Sequence, residues 1–191
     1  MQSISKGDEM PDDEQLMIQV RDGRVEMLAI LFERHHVRLF NFFLRLTADR
    51  PLSEDLTQEL FLRILKYRHT YRGESKFSTW MYQIARNLHI DHLRSRHPEI
   101  PIDDLYEEKP CPLPCPAQIA ENQQEADLLA RALERLPLRK REVLLLSRFQ
   151  NLKYQEIAGL LECSVENVKV QVHRSLKELR RHYLDLQGGI Q

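Results

Sequence analysis

Apolar residues recur at three- and four-residue steps along most of this chain, and no sustained alternation of apolar and polar residues competes with them. A 3.6-residue repeat puts such positions on one face of an α-helix, whereas a half-buried strand needs a repeat of two. The pattern therefore predicts an all-α protein. Leu16, Met17 and Val20 mark a short helix that Gly23 stops. A longer helix follows, with Val25, Leu28, Leu31, Phe32, Leu39, Phe42, Phe43 and Leu46 on its apolar face. Beyond Pro51, Ser53 is the expected N-cap of a third helix, with Glu54 and Asp55 in the first turn, where the helix dipole favours negative charge. That helix carries Leu56, Leu60, Ile64 and Leu65, and YRGESKFS at 71–78 reads as a polar turn leading into STWMYQIARNLHIDHLR at 78–94.

One segment breaks the pattern. Between Pro98 and Pro116 stand six prolines and a cluster of acids, a composition that offers no core and favours extended conformations. It predicts a linker between two small helical domains, and 191 residues suffice for one modest core or two small ones. The expected division is a tail at 1–11, a first domain at 12–97, the linker at 98–124, a second domain at 125–185 and a tail at 186–191. Four helical segments are expected in the second domain: ADLLARALERL, LRKREVLLLSRF after Pro137, YQEIAGLL, and VENVKVQVHRSLKELRRHY.

Charge is distributed in blocks. Residues 63–98 carry 8 Lys and Arg against 2 Asp and Glu, and residues 125–183 carry 12 against 8. The strip between them, residues 99–121, carries 1 basic against 6 acidic residues, and residues 1–62 carry 7 against 12. Clustered positive charge is the footprint of a polyanion partner, although a solvated surface explains either block alone. No stretch reaches the roughly 18 apolar residues of a membrane span, and the start, MQSISKGDEMPDDEQ, lacks the apolar run of a signal peptide. A cytoplasmic location is expected. Three cysteines make no disulfide framework, which fits a reducing compartment.

The last two segments are joined by only Glu162, Cys163 and Ser164, which makes a helix-turn-helix. Ala158 is small where the helices should cross, Ile157 and Leu161 face inward, Ser164 is a good N-cap, and Val168 and Val172 supply the apolar stripe. The polar face then displays Asn167, Lys169, Gln171, His173, Arg174 and Lys177. Asn and Gln pair with adenine edges, while Arg and Lys reach guanine or phosphate, so this face suits a major groove. A helical hairpin whose charged face meets only water is the alternative. Glu162 occupies the turn position where glycine is common, and a left-handed conformation there costs about 1 kcal/mol.

On a helical wheel of 78–94, Phe77, Trp80, Met81, Ile84, Ala85 and Leu88 fall on one side, with Trp80 at its margin. Tyr82, Gln83, Arg86, Asn87, Ile90 and Arg94 spread over the other. Gln83, Arg86, Asn87 and Arg94 are the candidates for contact with single-stranded nucleic acid, and Trp80 is either a rigidifying core residue or a stacking platform. His89 and His92 are one turn apart, but no further ligands accompany them, so no metal site is expected. Cys111 and Cys115 read as free thiols. With six glycines, no phosphate-binding loop and no nucleophile motif, neither catalytic residues nor a cofactor are expected. A stand-alone duplex-DNA regulator and a metal enzyme built on the two histidines are the rival readings.

DLTQELFLRIL at 55–65, YRGESKFSTWMYQIARNLHIDHLR at 71–94 and LPLRKREVLLLSRFQNLKYQEIAGLLECSVENVKVQVHRSLKELR at 136–180 together resemble bacterial RNA polymerase sigma factors of the extracytoplasmic-function (ECF) class. The resemblance runs from about Asp12 to Tyr183 and makes the first domain sigma region 2 and the second region 4. It implies that Asp55, Gln58, Glu59 and Arg63 contact core RNA polymerase. It also implies that Arg72, Lys76, Trp80, Gln83, Arg86, Asn87 and Arg94 open and read the minus-ten element, including a base flipped from the stack at a cost of a few kcal/mol. Asn167, Lys169, Gln171, His173, Arg174 and Lys177 would read the minus-thirty-five duplex. Val170 and Gln171 stand where Ser-Arg is common in the class, so the base sequence does not follow from the resemblance. The acidic linker would follow the polymerase's basic RNA-exit path. The class further implies an anti-sigma factor, often membrane-anchored, and no insertion of the chain itself into the membrane.

Overall fold

The computed structural model describes residues 10–96, 98–99, 101 and 121–188. Most of the proline-rich segment, with Asp103, Asp104, Cys111 and Cys115, lies outside the described residues. The described residues form α-helices joined by tight turns and no strand, as the periodicity requires.

Helix α1, Asp13–Arg21, opens with a reciprocal cap: Asp12 accepts from the Gln15 amide at 2.7 Å, and the Asp12 amide donates to the Gln15 side chain at 3.3 Å. Leu16, Met17 and Val20 are its wholly buried face. Gly23 follows at φ 109, a left-handed value open to glycine at little cost, and reverses the chain. A 3-10 turn at Val25–Met27 then feeds α2, Leu28–Thr47, which buries Leu31, His35, Leu39, Phe42, Phe43 and Leu46. Helix α1 is fastened to α2 by charge, because Asp13 accepts from Arg34 at 2.7 Å and contacts His35 at 2.6 Å. Burial would raise the Asp13 pKa, but the bonds from Arg34 and His35 outweigh it and hold the carboxyl below its usual range.

Helix α3, Arg50–Tyr67, begins earlier than expected. Asp49 is its N-cap, accepting from the Leu52 amide at 3.0 Å, and Pro51 sits inside the first turn, where a missing N–H costs nothing. Ser53 is therefore not the cap: it is fully buried, and its hydroxyl lies 3.1 Å from that of Thr47. Helix α4, Phe77–Arg96, receives a cap from elsewhere in the chain, since the Phe77 amide donates to the Glu14 carboxylate of α1 at 2.9 Å.

In the second half, α5 covers Glu121–Glu134 and α6 covers Leu138–Leu144, continuing as a π-helical turn at Leu145–Phe149. Helix α7, Tyr154–Leu160, and α8, Val165–Gly188, complete it. The long α8 packs on α5, α6 and α7, burying Val168 and Val172 near its start and Leu186 against Leu128 and Ala132 near its end.

The two halves share one core. Buried residues of both, from Leu16 to Val172, form a continuous cluster, and α2 and α4 meet α5, α6 and α7 directly. Arg141 of α6 holds the joint. Its guanidinium donates to the carbonyl of Leu46, at the end of α2, at 2.8 Å, to that of Glu134, the last residue of α5, at 2.6 Å, and to that of Leu136, two residues beyond it, at 3.2 Å. Carbonyls at helix C-termini lack helical partners and carry partial negative charge, so they suit a buried cation. The Arg45 guanidinium adds a cation–π contact, 4.7 Å from the centre of the Phe149 ring.

Candidate nucleic-acid and polymerase surfaces

Helix α4 is amphipathic because Phe77, Met81, Ala85 and Leu88 recur at helical spacing, and their burial aims the opposite side outward. A cleft of about 670 Å³ opens along that side, lined by Trp80, Gln83, Arg86, Asn87 and Arg94 together with Arg63 and Tyr67 of α3. Five of the seven residues expected at the minus-ten element thus meet in one place. Arg72 is exposed in the preceding turn, and Lys76 lies in a second cleft of about 570 Å³ with Trp80, Gln83 and Gln155, Glu156 and Gly159 of α7. Trp80 borders both clefts. Its ring is half-buried and tilted against Tyr71 at 5.3 Å, so one indole serves the core and the surface.

On α3, Asp55, Gln58 and Glu59 are exposed along one face, and Leu62 beside them is 62% exposed. Arg63, expected on the same surface, is one-quarter exposed. It bridges Glu59 at 3.1 Å and Asp91 of α4 at 2.7 Å, so it braces the wall of the α4 cleft as well as bordering the acidic face. Asp91 is half-exposed.

The helix-turn-helix forms with its predicted parts. Ala158 and Ile157 are buried at the crossing, and the Ser164 hydroxyl accepts from the Asn167 amide at 3.1 Å. Glu162 adopts φ 51, so the turn takes the left-handed conformation despite its cost to a residue other than glycine. Asn167, Lys169, His173, Arg174 and Lys177 are exposed on α8, and Gln171 donates to Asn167 at 2.9 Å, which holds the two amides as a pair. Val170, 45% exposed, is an apolar spot within this polar face.

Sequence reasoning missed what covers α4. Tyr82 and Ile90, assigned to its outward side, are buried, and the Tyr82 hydroxyl donates to the Gln150 side chain of the second half. Arg86 contacts Glu142 of α6 at 3.3 Å, and Lys76 contacts Glu156 of α7 at 3.4 Å. Glu142 is almost wholly buried, and its carboxyl is pushed up to about 7 by that burial, against the pull of Arg86 and Arg139. His89 is buried in the same region, its imidazole pushed down to about 3 by burial, with His92 and Arg141 adding to the effect. This is an interior histidine held neutral, and no group of three or more metal-ligating side chains occurs among the described residues. A signal for the joint existed: Arg141 and Glu142 lie on the apolar stripe of α6, at i+3 and i+4 from Leu138 and ahead of Leu145.

The sigma-70 region 2 family matches residues 31–99, and the sigma-70 region 4 family matches residues 126–179. SigM of Bacillus subtilis, an ECF RNA polymerase sigma factor, is 30% identical over 158 residues, which cover 80% of this chain and 93% of SigM. The RNA polymerase sigma factor CarQ of Myxococcus xanthus is 31% identical over 168 residues, 86% of this chain and 93% of its own. This chain belongs to the ECF sigma factors. Among solved structures, that of CnrH in complex with the cytosolic domain of CnrY has the same fold, with a TM-score of 0.67 at 21% identity over 91% of this sigma factor and 97% of CnrH. Region 2 of the sigma factor thus includes the α3 face and the larger α4 cleft, region 4 includes the helix-turn-helix, and the smaller cleft is lined by both.

Proposed function

We propose that this sigma factor binds core RNA polymerase through the exposed α3 face, separates and reads the minus-ten element on α4, and docks α8 on the minus-thirty-five duplex. The supporting observation is that one chain carries two differently built nucleic-acid surfaces in the order region 2, region 4. The α4 cleft combines cations, amides and a half-exposed indole, which suits unstacked bases. The α8 face is a convex row of amides and cations, which suits a major groove. A stand-alone duplex reader would leave the α4 cleft without a purpose. Asp55, Gln58 and Glu59 supply the polymerase contact, with Leu62 at its C-terminal edge.

Action is by binding, with chemistry left to the polymerase. No described helix is long and apolar enough to cross a membrane, and the reading places the sigma factor with its polymerase in the cytoplasm. Control by an anti-sigma factor belongs to the same proposal. Its support is fold likeness to CnrH and to the RpoE sigma factor of Bartonella quintana, solved in complex with the cytosolic domain of CnrY and with the anti-sigma factor NepR respectively.

Reconstituted transcription tests the reading. Core polymerase on genomic fragments should start at new sites when the purified protein is added. Unchanged start sites with folded protein and no anti-sigma factor present would sink it.

A further inference from the structure

The polar face of α8 has an apolar centre. Val168 and Val172 point into the core and Val165 packs against it, whereas Val170 is 45% exposed. Asn167, Val170, Gln171 and Arg174 stand at i, i+3, i+4 and i+7, so they share one side of the helix with Val170 in its middle. A β-branched residue gains nothing for the helix there, because its side chain loses freedom against the preceding turn without burial to offset the loss. Single exposed apolar residues are ordinary on a protein surface. This one is set among the groups that would meet DNA.

Helix geometry narrows what Val170 can touch. Helix α8 begins at Val165, capped by Ser164, so Val170 lies in its second turn, about 7.5 Å along the axis. A helix enters a major groove about 12 Å wide, and the N-terminal residues of a recognition helix are the ones that meet base edges. Glu166, exposed one turn before Val170, repels phosphate, so this side of the helix is not the one laid on the backbone. Valine is short and has neither donor nor acceptor. Over the N7 and O6 acceptors of guanine, or the N4 donor of cytosine, it would displace water and offer no hydrogen bond in return. The apolar group that projects into the major groove is the 5-methyl of thymine. The neighbouring amides agree with an A·T pair: Gln171 gives one N–H to Asn167 at 2.9 Å and keeps its carbonyl oxygen and second N–H, the acceptor and donor that an adenine edge requires.

We propose that Val170 reads the 5-methyl group of a thymine in the minus-thirty-five duplex, beside an adenine held by Gln171, and so sets base choice at that position. The inference rests on the assignment of α8 to that duplex. Selection acts from both sides. Thymine buries its methyl against the valine, whereas guanine or cytosine leaves a polar edge group unpaired. The contact carries no charge, so it adds discrimination between bases without adding salt dependence.

The test uses holoenzyme reconstituted from core polymerase and the full chain, bound to a duplex promoter mapped by reconstituted transcription. Each thymine of the upstream element, on either strand, is replaced in turn by deoxyuridine, which removes the methyl and keeps every hydrogen-bonding group. One replacement should weaken binding about fourfold, the effect of exposing one methyl-sized group. Val170→Ser should bind the thymine duplex about fourfold more weakly or worse, bind the thymine and uracil duplexes alike, and keep the wild-type salt slope. Val170 is at the surface, so serine there leaves the fold intact. An upstream element without thymine, equal wild-type affinity for every uracil duplex, or a uracil penalty that persists in Val170→Ser overturns the methyl contact. Weaker binding by Arg174→Ala in the same series would still keep α8 on the duplex. Wild-type affinity in Arg174→Ala overturns the α8 assignment and the methyl contact with it.

Discussion

Glu142→Gln should stabilise this protein at alkaline pH and leave it unchanged in acid. The Glu142 carboxyl titrates at about 7 in the folded chain against an ordinary value of 4.5. Between those values the folded state holds a proton that the unfolded state has lost, so stability falls as pH rises through the window. The penalty is about 3 kcal/mol, in full above pH 7 and absent below pH 4.5. Glutamine keeps the shape and removes the ionisation, and the Arg86 side chain, 25% exposed, retains access to water. Urea unfolding of both proteins from pH 4.5 to 8.5 measures the difference directly, and the same effect in thermal melts is about 6–12 °C at the alkaline end. His89 contributes with the opposite sign, destabilising the fold as pH falls below 6.5 because its folded value is depressed. Both proteins carry His89, so its contribution cancels in the comparison. A stability difference that does not change with pH would refute the reasoning, since a packing effect of the substitution has no reason to titrate.

Three further outcomes follow from the geometry. Asn87→Ala should impair promoter opening more than initial duplex binding, whereas Arg174→Ala should weaken upstream duplex binding about tenfold or more; permanganate footprinting and gel-shift titration separate the two, and unchanged opening in Asn87→Ala removes that residue from the minus-ten site. Glu14→Ala takes away the carboxylate that caps α4 and should cost about 1 kcal/mol in urea unfolding, a loss that would not appear if the α4 N-terminus were solvated equally well without it. Glu162→Gly relieves the left-handed strain at φ 51 and should leave stability unchanged or raise it by up to about 1 kcal/mol, while Glu162→Val should lower it; the reverse order would mean that the turn is set by something other than backbone sterics.

How much of this was legible in the residues differs from element to element. The helix-turn-helix was legible because cap, crossing alanine and apolar stripe are all local features set by spacing along one or two helices, whereas the left-handed backbone at Glu162 was not. The start of α3 was misplaced because two capping groups, Asp49 and Ser53, stand near Pro51, and proline was read as preceding the helix when it lies in its first turn. The wheel of α4 sorted Met81, Ala85 and Leu88 inward and Gln83, Asn87 and Arg94 outward correctly, yet it failed for Tyr82 and Ile90. A wheel assumes one buried face, and α4 has a second neighbour.

By itself the sequence determined the helices, the helix-turn-helix and the residue types offered on the α3, α4 and α8 surfaces, since each follows from periodicity and local hydrogen bonding. Tertiary structure decided that region 4 packs on region 2, that Arg63 braces Asp91, and that Arg86 and Lys76 meet Glu142 and Glu156. Spacing placed Arg141 and Glu142 on a stripe that had to be buried, but which groups stood opposite depended on contacts across the linker. Long-range electrostatic partners are set by where helices dock, and a helical repeat carries no information about that.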